Sequence, residues 1–242
     1  MRHQTVQYVA DGLQMVSDLY LPEAGGARRP GVLVFPEAFG IGEHVRARAR
    51  RLAEQGYVAL ACDLHGNAAR YDRIEEVMGL IGPLRGEVAR IRARAAGGLD
   101  ALRARPEVDP ARIAAIGFCF GGTMSLELAR SGADIRAVTG FHSGLATVAP
   151  DDAKHIKARV LVCIGADDPA ISAEERAAFE QEMRAGGASW QMHVYGGVVH
   201  SFTNENAAAL GRPEFARYDA DADARSWAAM RGLFAEVLDP AG

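Results

Sequence analysis

The chain has 242 residues, 49% of them apolar and 24% charged, with a formal net charge of −4. That length and composition fit one α/β domain with a large core, and a mildly acidic balance argues against a nucleic-acid partner, which needs a basic patch. No run approaches the ~20 apolar residues of a membrane span, and Met1-Arg2-His3-Gln4-Thr5 lacks the apolar centre of a signal peptide, so a cytoplasmic protein with no membrane partner is expected.

Taken in chain order, residues 6–9 and 13–20 alternate around Asp11-Gly12 and predict an opening β-hairpin. Gly31-Val32-Leu33-Val34-Phe35 is a continuous apolar run, as in a strand covered on both faces. Residues 43–55 predict a helix closed by Gly56, and 57–62 the next strand. Helical periodicity then covers 66–105, with expected interruptions at Gly82-Pro83 and Gly97-Gly98. The Ala/Arg-rich stretch 90–105 reads as a solvated helix face. Strands are expected near 112–117, 135–141, 159–165 and 189–195. Helices are expected after residue 119, over 172–185 and over 221–238. The alternation predicts a doubly wound, mostly parallel sheet with helices on both faces, in a single domain spanning 1–242.

In such a sheet the ligand site lies beyond the carboxyl ends of the strands. Four segments fall there: Pro36-Glu37-Ala38-Phe39-Gly40, Gly117-Phe118-Cys119-Phe120-Gly121-Gly122, Gly165-Ala166-Asp167-Asp168-Pro169 and Gly196-Gly197-Val198-Val199-His200-Ser201-Phe202. The second is a strand, Gly-x-nucleophile-x-Gly and helix in series, the layout of the nucleophile elbow of α/β-hydrolases, with cysteine in the usual place of serine. A helix N-terminus behind Cys119 favours a thiolate. Nucleophile, acid, histidine is also the chain order that this fold gives its triad. Among seven histidines only His200 follows the last strand; His65 and His142 follow earlier strands at the same edge. Asp168 is preferred over its neighbour Asp167 as the acid. Cys62 and Cys163 end or occupy apolar runs and read as buried thiols, and an odd cysteine count argues against a disulfide framework. Glu37, directly after a buried strand and near a thiol, would hold that thiol protonated.

These blocks resemble the dienelactone hydrolase family of α/β-hydrolases, in order and spacing over nearly the whole chain. The resemblance implies a Cys-His-Asp hydrolase of cyclic and simple esters, needing no cofactor or metal. Cys119 would be the nucleophile, His200 the base, Asp168 its orienter and Glu37 a gate on thiol ionisation. The backbone N–H groups of Ala38 and Phe120 would form the oxyanion hole. Phe39, Phe118, His65, Phe202 and Asn204 are expected to line the substrate pocket, with residues 203–220 covering part of the cleft. Members that act on dienelactone clamp its carboxylate with two arginines. The position of one is Asn204 here, and Arg70 and Arg73 are the candidates for the other. A neutral ester or lactone therefore stands at least level with dienelactone.

The expected partner is thus a small-molecule ester, lactone or phosphotriester, taken by a monomer or homodimer. Some members of the family cleave phosphotriesters without a metal, which makes that reaction the alternative. A ligand sensor on a hydrolase scaffold would be expected to have lost part of the triad, and this chain retains it. A zinc hydrolase is disfavoured because no His-Glu-x-x-His or Cys-x-x-Cys occurs.

Overall fold

The computed structural model describes residues 1–23 and 27–238. The hairpin forms as expected: β1 (Arg2–Ala10) pairs antiparallel with β2 (Leu13–Leu21) around Asp11 and Gly12, both at positive φ. Next come β3 (Arg29–Phe35), α1 (Glu43–Glu54), β4 (Val58–Ala61), α2 (Ile74–Gly86), α3 (Val88–Arg103), β5 (Val108–Phe118) and α4 (Phe120–Arg130). The chain closes with β6 (Ala137–Phe141), β7 (Arg159–Gly165), α5 (Ala173–Ala185), β8 (Trp190–Tyr195) and α6 (Ala220–Val237).

All eight strands make one sheet in the order β1-β2-β4-β3-β5-β6-β7-β8. Only β1 and β2 run antiparallel to their neighbours. The chain steps from β3 to β4 on one side, then returns to place β5 on the other side of β3. The carboxyl ends of β3 and β5 are therefore the switch point at which an open parallel sheet leaves a crevice. Side chains alternate across each strand and fill two cores. One, with Leu33, Ile113 and Val162, is covered by α2, α3, α4 and α5; the other, with Val34, Ile116 and Phe141, is covered by α1 and α6. The sheet is thus mostly parallel, with an N-terminal hairpin and helices on both faces.

The long helical stretch breaks elsewhere than the sequence suggests. Pro83 lies inside α2, and the interruption falls at Glu87, whose φ of −119° and ψ of 62° are not helical. Gly97 and Gly98 lie within α3. A Cβ on Gly97 would stand 2.5 Å from that of Ala10, so the pair serves close packing of α3 on the hairpin. The arginine-rich stretch is also not a solvated face. Arg94 is buried, donating to Asp11 (2.9 Å) and to the Leu64 carbonyl (2.8 Å), and Arg92 pairs with Glu127 and Asp152. Among the described residues no helix is long and apolar enough to cross a membrane.

Candidate active site

Cys119 sits between β5 and α4 at φ 53° and ψ −120°, a conformation that costs a non-glycine residue about 1–3 kcal/mol. Its surroundings enforce it. A Cβ on Gly117 would lie 2.0 Å from the Gly121 carbonyl oxygen, and one on Gly121 would lie 2.3 Å from that of Phe35. Only glycine permits these approaches, and they press the start of α4 against the end of β3. Phe120 is the first residue of α4, where a backbone N–H has no acceptor within its own helix. Ala38, on the loop after β3, and the half-buried Cys119 border the same cavity.

His200 approaches from the loop after β8. Its backbone is held on both sides: its N–H donates to Phe215 (3.1 Å), and its carbonyl accepts from Arg217 (3.1 Å). Its Nδ1 lies 2.8 Å from Oδ2 of buried Asp168, whose Oδ1 accepts from the Ala170 N–H at 2.8 Å. The neighbouring Asp167 is exposed. The ring lies beside the Cys119 sulfur on the wall of the same cavity. Burial opposes a charged imidazole here, but the sulfur and the Asp168 carboxylate together push the pKa up to about 10. Cys119 and His200 thus stand together on the cavity wall, with Asp168 hydrogen-bonded behind His200.

Glu37 is half-buried and ionised. Oε1 accepts from the Ser201 hydroxyl (3.0 Å), Oε2 accepts from the Asn204 amide (2.7 Å), and His44 Nδ1 stands 3.6 Å away. Burial would raise its pKa, but the polar groups facing it, His44 first and then Ser201, outweigh that and hold it at about 2. The carboxylate borders the cavity with Cys119 and Ser201, and its two oxygens are held by Ser201 and Asn204.

The expected pocket residues divide. Phe39 borders the cavity. Phe118 and Phe202 do not: both are fully buried in the α1/α6 core, Phe118 stacked on Phe141 at 5.0 Å and Phe202 against Tyr195 at 5.7 Å. The strand pleat explains Phe118, because it points to the face opposite the cavity. His65 stands 2.7 Å from the Ala38 carbonyl and edge-on to Tyr71, so it fixes the loop rather than lining the cavity; burial lowers its pKa. Asn204 is committed to Glu37 and to the Asn206 N–H, and faces a second cavity of about 350 Å³. Arg70 borders that second cavity, and Arg73 precedes α2.

The cavity at Cys119 measures about 450 Å³ and is mostly apolar. Leu210 and Phe215 supply part of its wall from the 203–220 segment, but α2 contributes Ile74, Met78, Ile81 and Arg85. Sequence reasoning missed these. The available signal was the apolar spacing of Ile74, Val77, Met78 and Ile81, in which Val77 and Ile81 are buried while Met78 stays exposed. Glu127 and Glu175 also border the cavity.

The sequence model of the dienelactone hydrolase family matches residues 17–238. A solved structure named m3DLH is 49% identical, with 98% of each chain covered and a TM-score of 0.94. A dienelactone hydrolase-like promiscuous phosphotriesterase from metagenomic libraries is 44% identical, with 98% of each chain covered and a TM-score of 0.92. A Synechocystis protein provisionally named a carboxymethylenebutenolidase is 28% identical over 241 residues, 93% of each chain.

Proposed function

The chain belongs to the dienelactone hydrolase family and is an ester-bond hydrolase, and we propose that it cleaves lactones and activated esters through an acyl-cysteine intermediate. The observation that carries this reading is Cys119 beside His200 on the cavity wall, with His200 hydrogen-bonded to Asp168 behind it. The Cys119 thiolate adds to the ester carbonyl, forming a C–S bond and moving the C=O π pair onto oxygen. The N–H groups of Ala38 and Phe120 receive that oxyanion; such a donor is worth about 3 kcal/mol. Collapse expels the enol or aryl oxygen, which takes the proton from His200. His200 then accepts a proton from water, the hydroxide adds to the thioester, and the carboxylic acid leaves as the thiolate is restored. Asp168 keeps the ring oriented and supports its positive charge. A soft thiolate favours substrates with good leaving groups.

A second reading is phosphotriester hydrolysis by the same residues, with attack at tetrahedral phosphorus. It is favoured by the 44% identical relative whose name gives that activity. A panel of aryl esters, lactones and aryl phosphotriesters ranked by kcat/KM separates the two. Covalent catalysis predicts that Cys119→Ala lowers hydrolysis by at least about 10³-fold, and that quenched wild type carries an added acyl or phosphoryl mass on Cys119. An unchanged rate in Cys119→Ala sinks both readings.

A further inference from the structure

Four side chains run in line behind the wall between the two cavities: half-buried Glu37 and His44, and buried Thr203 and His142. Glu37 borders both cavities, and His44 borders the second. His44 rises from α1 with its ring edge-on to Phe118, 4.5 Å between centroids. Its Nδ1 faces Glu37 Oε2 at 3.6 Å. Its Nε2 meets Thr203 Oγ1 at 3.3 Å and accepts from Arg48 Nε at 3.4 Å. Thr203 Oγ1 in turn meets His142 Nε2 at 2.8 Å. Arg48 is itself fixed, its Nη2 donating to the Thr203 carbonyl and to Asp223 Oδ2 at 2.8 Å.

An arginine N–H can only donate, so the His44 nitrogen that meets Arg48 carries the lone pair. The ring proton is then on Nδ1, pointing at Glu37. A separation of 3.6 Å exceeds hydrogen-bond length. The N–H therefore steers the carboxylate electrostatically, while Ser201 and Asn204 bond it.

The groups that hydrogen-bond Glu37 directly give it no fixed positive charge. Ser201 and Asn204 are neutral, and burial drives His142 well below the ordinary histidine pKa, so it is neutral too. His200 is engaged with Asp168 and Cys119. Arg48 reaches the carboxylate through His44, and Arg70 borders the second cavity with both Glu37 and His44. We propose that His44, its tautomer fixed by Arg48, is a positioning residue that holds Glu37 toward Ser201 and Asn204 and off the Cys119 sulfur. This rests on the proposed thiolate mechanism. A carboxylate released from that side has the Cys119 sulfur as its alternative partner on the same cavity wall. There its negative charge keeps the proton on sulfur instead of on His200.

The test is alkylation of Cys119 by iodoacetamide at neutral pH, followed by peptide mass, with buried Cys62 and Cys163 as unreactive internal references. His44→Phe keeps the ring against Phe118 and removes the donor. Alkylation is expected to slow about three- to tenfold, the scale of a neighbouring-charge effect on thiolate fraction. His44→Asn returns an N–H near the Nδ1 position and should restore the rate to within about twofold. In a Glu37→Gln background, His44→Phe should change nothing. Alkylation of His44→Phe at the wild-type rate, or a loss that persists with Glu37→Gln, overturns the proposal. Nitrogen NMR of wild-type His44 is a measurement independent of any variant: the Nδ1–H tautomer is required, and Nε2–H overturns the assignment. Alkylation does not depend on turnover, so a failure here is distinct from a failure of Cys119→Ala to abolish hydrolysis.

Discussion

Glu37 shows how a single half-buried charge is made tolerable. Burial alone pushes a carboxyl toward the neutral form. Here two hydrogen bonds and the His44 ring behind them reverse the balance, and the pKa settles at about 2 against an ordinary 4.5. The folded pKa is the lower one, so the ionised group stabilises the fold above about pH 4.5, and that contribution is lost as pH falls through about 2. Relative to Glu37→Gln, wild type should hold an advantage on the order of 2–3 kcal/mol near neutrality, shrinking steadily on acidification below about pH 4.5. Urea midpoints of both proteins along a pH series measure it; a constant difference contradicts the assigned ionisation. At the neighbouring pair, Asp168→Asn removes the acceptor that orients His200. A fall in kcat of about 10² to 10⁴-fold with an unchanged melting temperature is expected, as for loss of the orienting acid in other triads.

The elements differ in how plainly their sequences declare them. The elbow was legible because its glycines answer to a backbone collision. The strands were legible because a parallel strand buried on both faces is a continuous apolar run. The break between α2 and α3 was not, since Gly82-Pro83 and Gly97-Gly98 are stronger local signals than Gly86-Glu87. What decides the matter is tertiary: Gly97 abuts Ala10, while Gly82 faces open space. The cavity residues on α2 and the partners of Arg92 and Arg94 were hidden for the same reason, because contacts between distant segments leave no local period. The two glycines thus predict opposite outcomes. Gly82→Ala should stabilise by up to about 1 kcal/mol through helix propensity. Gly97→Ala gains the same propensity but must open a contact of 2.5 Å between two Cβ atoms carried on backbone. Overpacking of that kind costs about 1–3 kcal/mol, so the net effect should be destabilising. Denaturant unfolding of the two variants under one buffer decides it.

At the scale of the whole molecule, two layers of helix and one sheet edge enclose an apolar cavity whose charges decide what enters. Three carboxylates border it: Glu37, Glu127 and Glu175. Glu37 is spent on Ser201 and Asn204. Glu127 is neutralised by Arg130 at 3.0 Å and Arg92 at 2.9 Å. Glu175 differs: Oε1 accepts from the N–H groups of Leu145 (2.6 Å) and Ala146 (3.1 Å), and no arginine or lysine pairs with it among the described residues. It is therefore a fixed negative charge on the wall. Arg85 opposes it, but that side chain is exposed, where solvent and salt screen a charge most. The fixed, half-buried carboxylate should prevail. A neutral aryl ester is accordingly expected to exceed its carboxylate-bearing analogue in kcat/KM, and Glu175→Gln should narrow the gap by about two- to fivefold, the scale of a partly screened charge. The narrowing should appear mainly in KM and diminish with added salt. If the anionic analogue is instead preferred, and Arg85→Met removes that preference, the mouth of the cavity and not its wall governs selection.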